Sequence, residues 1–309
     1  MSITPPSLQP GDTIAIISPA TIVKEEYIDG AVACLHKIGY NPVVLQYAKG
    51  PADGSYASSF ANRLQDLKNA LHNPEFKAIF CARGGYGCTH LLPHFSFSEI
   101  SKNPKWLVGF SDISALHALW LNAGVKSIHG PMAKHLANTG TENPFSAALF
   151  RMLGNGGNFD IAVPSNPFNR QGEAEGVLRG GNLAVLNSLA ATPYDILDVR
   201  EGEEVILFIE DISEAIYAVE RMLTRLLLSG TLHKLKGLIF GHFTEYKPDR
   251  NFETMEEMAS SFLEKCGIRN LPVAFAFPTG HIDNNYPLTE GALVRMEVHK
   301  DFTRLQTLC

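Results

Sequence analysis

A serine at a strand-to-helix turn is the first residue of this sequence whose position suggests chemistry. Ser111 lies between the apolar run Leu107–Phe110 and a helical stretch over Asp112–Asn122. A serine there projects its hydroxyl from the end of a sheet, and the N–H groups that open the helix face any oxyanion formed beside it. The spacing from Gly109 to Ser114 is one residue longer than in the G-x-S-x-G nucleophile elbow. Ser111 is therefore a candidate nucleophile, with helix capping as the alternative role.

A glycine-rich loop is the second candidate feature. Residues 81–88 read Cys-Ala-Arg-Gly-Gly-Tyr-Gly-Cys and directly follow an apolar run. The adjacent glycines Gly84 and Gly85 let the backbone approach a ligand closely and adopt conformations that a Cβ atom forbids. We predict that an N–H group of Gly84 or Gly85 contributes to an oxyanion hole beside Ser111. The alternatives are a plain turn or a phosphate-binding loop, although no G-x-G-x-x-G pattern is present.

Two carboxylates end a predicted buried strand in the second half of the chain. Glu210 and Asp211 directly follow the apolar run Val205–Ile209. A carboxylate at this position can hold an imidazole in one tautomer and stabilise its cation, as the third member of a catalytic triad does. The alternatives are a solvated strand end or a cap. Asp211 or Ser213 would cap the predicted helix Glu214–Leu228 and leave Glu210 for another role.

A histidine in a polar loop is the candidate general base. His281 follows an apolar run, and imidazole is the side chain that exchanges a proton most readily near neutral pH. Its main rival is His129, which also follows a strand and which we interpret as a structural support of the serine turn. Cys81 or Cys88 would offer a cysteine mechanism. Neither cysteine lies at a turn like that of Ser111.

The first half of the chain alternates predicted strands with predicted helices. The strands are Thr13–Ser18, Pro42–Leu45, Ala78–Cys81, Leu107–Phe110 and Ser127–His129. The helices lie near Glu25–Ile38, Ser58–Leu71 and Asp112–Asn122. This alternation is typical of βαβ units covered on both faces. We therefore predict an α/β protein whose N-terminal domain, residues 1–153, has a mostly parallel, Rossmann- or flavodoxin-like sheet.

The second half begins with a change of composition. Residues 154–176 are rich in Gly, Asn and Pro, which favours an interdomain linker. Beyond this segment, the helix predicted over Glu214–Leu228 is surrounded by strand-like runs at Val205–Ile209, Gly237–Phe240, Pro272–Phe277, Leu293–Val298 and Thr303–Leu308. Residues 177–309 are therefore predicted to form a smaller C-terminal domain of mixed strands and helices.

Composition excludes several classes of function. The chain has 309 residues, of which 45% are hydrophobic and 19% charged, and its formal charge is −6. Without a basic cluster, we expect neither a nucleic acid nor an anionic membrane as partner. The N-terminus lacks the pattern of a signal peptide, and no run approaches the length of a membrane span. The five cysteines contain no C-x-x-C pair, which favours a reducing, cytoplasmic environment and argues against a zinc site.

Taken together, these segments resemble the LD-carboxypeptidase family, the murein tetrapeptide carboxypeptidases that form one group of serine peptidases. The resemblance covers essentially the whole chain, and it depends on the order and spacing of short motifs. The motifs are Gly11–Ala20, Ala82–Gly87, Gly109–His117, His129–Met132, Leu178–Leu183, Leu207–Asp211 and Gly280–His281.

The resemblance implies a role for each candidate residue. Ser111 would be the nucleophile, His281 the base and Glu210 the carboxylate that orients the base. The oxyanion hole would consist of backbone N–H groups of the Gly84–Gly85 loop and of Asp112. The implied reaction is release of the terminal D-alanine from cytoplasmic murein tetrapeptides during cell-wall recycling. Members of the family are typically cytoplasmic homodimers that need no cofactor or metal.

A carboxypeptidase must also recognise the free carboxylate of its substrate. Arg83 is a candidate by its charge and its place in the glycine loop, although it would serve equally as a structural hydrogen-bond donor. Tyr86, in the same loop, is a second predicted substrate contact. The next residues, Cys88–His90, depart from the family's usual pattern of small residues followed by arginine, so substrate contacts there do not carry over from the family.

Two other functions stay open from the sequence. A second branch of the same family resembles the microcin C immunity peptidases, which cleave an amide between an acyl group and a nucleotide-like moiety. The second open function belongs to a different class: a non-catalytic module that binds a nucleotide or sugar. The binding module predicts that Ser111 has no unusual reactivity, whereas both peptidases require an activated serine.

Overall fold

Two α/β units make up the chain. In a computed structural model, which describes residues 2–308, the first unit comprises the residues up to 158 and residues 285–291. The second unit comprises residues 159–284 and the residues from 292 onward. The return of 285–291 to the first unit was not predicted, because the short strand within it has too few residues to show a period.

The strands of both units are short, as is usual for α/β proteins. In chain order they are β1 (Thr13–Ile17), β2 (Asn41–Val44), β3 (Phe76–Cys81), β4 (Trp106–Gly109), β5 (Ser127–His129), β6 (Asp160–Pro164), β7 (Gly172–Asn182), β8 (Val205–Ile212), β9 (Gly237–Thr244), β10 (Val273–Ala274), β11 (Leu288–Glu290), β12 (Leu293–Val298) and β13 (Phe302–Thr307).

The helices connect most of the parallel strands. In chain order they are α1 (Glu25–Lys37), α2 (Phe60–His72), α3 (Phe97–Lys102), α4 (Ser114–Asn122), α5 (Ala133–Thr139), α6 (Pro144–Gly154), α7 (Leu183–Ser188), α8 (Ile216–Leu228), α9 (Thr231–Lys234) and α10 (Met255–Lys265). Short 3₁₀ segments at Cys88–His94 and Ser111–Ile113 precede α3 and α4.

The first unit contains a six-stranded sheet in the order β11-β5-β4-β3-β1-β2. Strands β1 to β5 pair in parallel, and β11 pairs with β5 in antiparallel orientation. Read from β2 to β5, the order 2-1-3-4-5 is that of flavodoxin-like sheets, in which ligands bind outside the carboxyl ends of the strands. The predicted fold class of this half is confirmed.

The second unit contains a seven-stranded sheet in the order β10-β9-β8-β7-β12-β13-β6. Strands β7 to β10 are parallel, whereas β12, β13 and β6 extend the sheet in antiparallel orientation. Strand β8 is buried from Val205 to Asp211. A strand covered on both faces is expected to be apolar throughout, so the carboxylates at its carboxyl end stand out.

The segment predicted as a linker, residues 154–176, instead contributes to the second sheet. It contains all of β6 and the first residues of β7. More exposed and less exposed residues alternate along the start of β7, which is the period of a strand with one solvated face. Because Gly, Asn and Pro separate the two strands, their turn signals dominate the local composition and conceal this alternation.

Two predicted helices begin later in the structure. The helix predicted over Asp112–Asn122 starts as the 3₁₀ turn Ser111–Ile113 and becomes α-helical only at Ser114. The helix predicted over Glu214–Leu228 starts at Ile216, and no side chain caps its first turn. The capping role considered for Asp211 or Ser213 is therefore wrong. Within residues 2–308, no helix has the length and apolar composition needed to cross a bilayer.

Candidate active site

Ser111 occupies a backbone conformation that most residues avoid. Its φ angle is +66°, in the left-handed region, directly after the extended Phe110 at the end of β4. A non-glycine residue held in a sparsely populated region costs about 1–3 kcal/mol and persists only when its surroundings impose it. Ser111 is not the N-cap of α4, because that position is Ile113 and no side chain caps it. The capping role considered for Ser111 is therefore wrong.

The glycine loop packs directly against this serine. A Cβ atom on Gly84 would lie 2.8 Å from Ser111 Cβ, closer than real Cβ atoms approach another heavy atom, and 3.0 Å from Ser111 Oγ. Gly85 has a φ angle of +112°, and a Cβ there would lie 2.2 Å from Thr21 Oγ1. Only residues without a side chain fit, so the backbone of the loop lies beside the serine hydroxyl.

The carboxylate of Asp112 ties the serine turn to the same loop. Asp112 is buried, and its Oδ2 accepts a hydrogen bond from the Cys88 N–H group at 2.8 Å. Burial raises the pKa of Asp112, and the bond from Cys88 only partly offsets that effect. One residue thus connects the two backbone segments that the sequence assigned to an oxyanion hole.

Arg63 supports the far end of the glycine loop, a role that sequence reasoning missed. Its side chain is buried, and Nη1 donates to the carbonyl oxygens of Pro19 (2.7 Å) and Gly87 (3.1 Å). Arg63 shares the buried face of α2 with Leu67 and Ala70, at the i, i+4 and i+7 positions. A charged residue in phase with an apolar stripe is the signal that could have revealed it.

The two predicted substrate contacts of the loop are exposed. Arg83 is exposed and donates from Nη1 to the Ile22 carbonyl oxygen at 3.1 Å, so one of its donors is already used structurally. Tyr86 is 55% exposed, and its hydroxyl lies 3.3 Å from His90 Nε2. The Tyr86 N–H group donates to Thr21 Oγ1 at 3.0 Å, which anchors the loop but leaves the ring available to a ligand.

In the second unit, a buried Glu210 pairs with a part-buried His281. His281 Nδ1 lies 2.7 Å from Glu210 Oε2, and the carboxylate is fully buried. Because a carboxylate only accepts, Nδ1 carries the proton in the neutral ring, and Nε2 is the basic nitrogen. Burial alone would lower the pKa of His281, but the hydrogen bond to Glu210 and its charge outweigh burial and raise that pKa.

Two glycines make room for this pair. Gly280 has a φ angle of +116°, and a Cβ there would lie 2.9 Å from Glu210 Cβ. A Cβ on Gly241 would lie 3.1 Å from the same atom, and the residue after Gly241 forms a parallel bridge with Gly280. The backbone that carries His281 can therefore pass close to Glu210, which sets the short distance between the two side chains.

The neighbouring carboxylate, Asp211, serves the local structure. Its oxygens accept hydrogen bonds from Asn182 Nδ2 at 2.9 Å and from the Ala184 N–H group at 2.8 Å. Burial and the charge of Glu210 raise the pKa of Asp211 to about 6. Because Asp211 is occupied with α7, Glu210 is the carboxylate of this strand end that meets an imidazole.

The rival residues lie in positions that disfavour the chemistry considered for them. His129 is fully buried, with its ring 5.7 Å from that of Phe110, the residue before the serine. Cys81 and Cys88 are buried, and burial raises the pKa of both thiols, so the reactive thiolate is disfavoured. His129 thus packs behind the serine turn, and neither cysteine is activated.

One group among the described residues has the composition of a metal site. Glu173, Glu297 and His299 each offer a ligand atom within 4.8 Å of the others, on a partly exposed face of the second sheet. The guanidinium of Arg295 lies 2.5 Å from a Glu173 oxygen and 3.7 Å from a Glu297 oxygen. The Arg295 guanidinium therefore already balances the charge of these carboxylates.

Comparison with known proteins places the chain in a family. The model of the LD-carboxypeptidase N-terminal domain matches residues 14–130, and that of the LD-carboxypeptidase C-terminal domain matches residues 175–296. The chain belongs to the LD-carboxypeptidase family. Ser111 lies in the range of the first domain model, and Glu210 and His281 lie in that of the second.

Relatives within this family extend over nearly the whole chain. A probable murein peptide carboxypeptidase of Bacillus subtilis is 32% identical over 297 residues, which cover 94% of this chain and 91% of the relative. The crystal structure of muramoyltetrapeptide carboxypeptidase from Oxalobacter formigenes is 30% identical, with a TM-score of 0.84, and the match covers 96% and 98% of the two chains.

The fold extends to a more distant protein. The microcin C7 self-immunity protein, solved in complex with aspartyl sulfamoyl adenosine, has a TM-score of 0.84 and matches 99% of each chain. Its sequence is only 20% identical. At that distance the likeness concerns the fold, so it does not by itself distinguish between substrates.

Proposed function

We propose that this protein is a serine-type L,D-carboxypeptidase that releases the terminal D-alanine of cytoplasmic murein tetrapeptides in cell-wall recycling. The observation that carries the proposal is the short hydrogen bond from His281 Nδ1 to the buried Glu210 carboxylate, which makes Nε2 the basic nitrogen. The strained turn of Ser111 and the glycine loop packed on it supply the matching nucleophile. Membership of the LD-carboxypeptidase family supports the assignment.

In the proposed reaction, Ser111 Oγ attacks the carbonyl carbon of the L,D bond while His281 Nε2 takes its proton. The amine of D-alanine then leaves with that proton, and an acyl-enzyme remains on the serine. Water, deprotonated by His281, attacks the ester and restores the free hydroxyl. Glu210 stays ionised throughout and stabilises the imidazolium that forms in each half of the reaction.

Stabilisation of the oxyanion is assigned to backbone N–H groups. We propose those of Gly84 or Gly85 on one side and Asp112 on the other, because the loop packs on Ser111 and Asp112 follows it. Donors fixed in this way are each worth about 3 kcal/mol of barrier. Asp112 contributes twice, because its carboxylate also holds the loop through the Cys88 N–H group.

Substrate recognition is assigned to the exposed side of the glycine loop. Arg83 would bind the free carboxylate of D-alanine with donors that its bond to Ile22 leaves over, and Tyr86 would pack on the peptide. We further propose a homodimer that needs no cofactor. Light scattering tests this proposal, since a homodimer should have twice the mass of one chain.

The competing substrate is an amide between an acyl group and a nucleotide. The microcin C7 self-immunity protein was solved with aspartyl sulfamoyl adenosine, so this compound is the natural comparison in an assay. The same triad and backbone oxyanion hole would serve to cleave the L,D-peptide bond or the acyl–nucleotide amide. The murein peptide is preferred because the relatives that share about a third of their residues with this chain are carboxypeptidases by name.

Mass spectrometry of a murein tetrapeptide tests the proposal directly. The wild-type protein and Ser111→Ala are each incubated with the tetrapeptide and, separately, with an acyl-nucleotide amide. Loss of one D-alanine with the wild type alone supports both the reaction and the nucleophile. Cleavage of the nucleotide amide alone would support the immunity-type activity, and no cleavage of either would favour a binding module. Equal release by both proteins would remove Ser111 from the mechanism.

A further inference from the structure

A buried histidine in the serine unit has no part in the mechanism above. His117 lies on α4, three residues into the helix that follows the serine turn, and it is fully buried. Its Nδ1 lies 2.8 Å from Ser127 Oγ, and its Nε2 lies 2.9 Å from the Gly109 carbonyl oxygen. Both ring nitrogens are therefore used, one on β5 and one at the end of β4.

The partners of His117 determine where its proton resides. The Gly109 carbonyl can only accept, so Nε2 must carry the hydrogen. Burial lowers the pKa of His117 to about 3, so the ring is neutral and Nδ1 has no hydrogen. Nδ1 therefore accepts from the Ser127 hydroxyl, so the Gly109 carbonyl selects the tautomer and Ser127 supplies the donor that matches it. The buried Glu290 carboxylate lies 3.8 Å from Nδ1, on the strand that pairs with Ser127.

Gly109 is the last residue of β4, two residues before Ser111, so its carbonyl lies where the strand ends and the serine turn begins. This carbonyl accepts from the Gly130 N–H group at 3.0 Å as well as from His117. The sheet supplies the first of these bonds, and the imidazole supplies the second from the helix side. A Cβ on Gly109 would lie 2.9 Å from Ile113, so the turn is also sterically tight.

We propose that His117, as the neutral Nε2–H tautomer whose Nδ1 accepts from Ser127, is a positioning residue that holds the Gly109 carbonyl and thereby the strained conformation of Ser111. This inference rests on the proposed function of Ser111 as nucleophile. The imidazole of His117, on the helix after the turn, thus donates to the last carbonyl of β4, the strand before the turn. A displacement of the nucleophile by about 1 Å can cost a hundredfold in rate.

The test compares His117→Phe and His117→Gln with a matched control on the same helix. Phenylalanine fills the site but has no donor, whereas glutamine keeps an N–H group. The control is Trp120→Phe, because Trp120 is also fully buried on α4 and donates from Nε1 to the Lys105 carbonyl at 3.0 Å, just before the start of β4. Both phenylalanine variants remove one buried N–H donor, but only His117→Phe removes it beside the serine.

Release of D-alanine is measured per folded molecule, with kcat and KM determined separately. We expect His117→Phe to lower kcat by about tenfold or more, which corresponds to ~1.4 kcal/mol of barrier, with KM within about twofold. His117→Gln should recover part of the loss, and Trp120→Phe should keep the wild-type kcat although it is destabilised. Equal kcat values for His117→Phe and the wild type would overturn the role of His117. Absence of release by the wild type would overturn the proposed function itself, and this inference with it.

A second measurement does not depend on activity. In ¹⁵N-histidine NMR of the wild-type protein, the His117 ring should show a protonated Nε2 and an unprotonated Nδ1 from pH 5 to pH 9. Ser127→Ala removes the donor to Nδ1 and should shift that resonance. An Nδ1–H tautomer, or an imidazolium in this pH range, would contradict the proposal whatever the kinetics show.

Discussion

The serine and the histidine proposed to act together are held in different ways. Ser111 is positioned by backbone: a strained φ angle, a glycine loop that no Cβ could enter, and carbonyl and N–H groups tied by buried side chains. His281 is positioned by one side chain, the buried Glu210, at 2.7 Å from Nδ1. The first arrangement is mainly steric, whereas the second is mainly electrostatic.

This difference determines how each region should respond to change. A steric arrangement fails when atoms are added or a supporting contact is lost, and pH has little effect on it. An electrostatic arrangement fails when a charge is removed, and the loss appears in the pH profile. Substitutions in the two units therefore have distinguishable signatures even when both reduce kcat.

The largest effect is expected in the electrostatic region, from His281→Gln. Removal of the base of a triad lowers kcat by about 10⁶-fold. Steady-state D-alanine release measures the loss, and the melting temperature should change little because the amide of glutamine can still donate to the buried Glu210 carboxylate. His233→Gln, at an exposed position on α9, is the control and should keep full activity. Residual activity within tenfold of the wild type would remove His281 from the mechanism.

Glu210→Gln should lower kcat by about 10⁴-fold, as loss of the orienting carboxylate does in other triads. Glu210 raises the pKa of His281 above its usual 6.5, and the base acts only when neutral. The acidic limb of kcat/KM should therefore lie above pH 6.5 in the wild type and move to lower pH in the variant.

The matched control for this pH shift is Glu245→Gln. Glu245 is exposed, and among the acidic groups that raise the pKa of His281 it has the smallest influence. Its replacement should keep kcat and move the limb only slightly. A limb that moved equally in both variants, or rose in Glu210→Gln, would contradict the electrostatic account.

In the steric region, Gly84→Ala should lower kcat by about a hundredfold, because the new Cβ would displace the Ser111 side chain. The shape of the pH profile should stay that of the wild type. Gly154→Ala is the control, since its nearest neighbour would be 3.8 Å away, and alanine at this end of α6 should stabilise slightly. A shifted acidic limb in Gly84→Ala would contradict the assignment of a mainly steric role to the glycine loop.

The smallest effect tests the tie between the serine turn and the glycine loop. Asp112→Asn keeps an acceptor for the Cys88 N–H group and should keep kcat within about threefold. Asp112→Ala leaves that buried N–H group without a partner, at a cost of about 1–3 kcal/mol, and should lower kcat by about tenfold. Thermal unfolding and kinetics are measured on both variants. If Asp112→Asn lowered kcat and stability as much as Asp112→Ala, the charge of the carboxylate, and not its hydrogen bond to Cys88, would hold the loop.

Prediction from sequence succeeded where a local pattern carried the information. The strands that lead to Ser111 and Glu210 are near-continuous apolar runs, so their carboxyl ends and the residues just beyond them were visible. The paired glycines Gly84 and Gly85 marked a close backbone approach, and the structure places Gly84 against the serine. The linker over 154–176 was wrong because turn residues between β6 and β7 outweighed the short alternating stretches.

Other features have no local signature. Arg63 and His117 lie on the buried faces of α2 and α4, and their hydrogen bonds go to residues that are distant in sequence or on the opposite side of a turn. Their partners are mostly backbone carbonyls, which every residue carries. No pattern in the sequence can indicate which carbonyl a buried donor will meet.

The sequence by itself determined the alternation of strands and helices, the class of each half and the candidates for the reactive side chains, because periodicity and residue chemistry are local properties. Tertiary structure alone decided that Glu210 lies 2.7 Å from the imidazole while Asp211 binds the start of α7, and that Ser111 adopts a left-handed turn under a glycine loop. Those choices depend on which strand ends and loops pack together in space. Hydrogen-bond distances and close approaches of a few ångströms are set only by that packing.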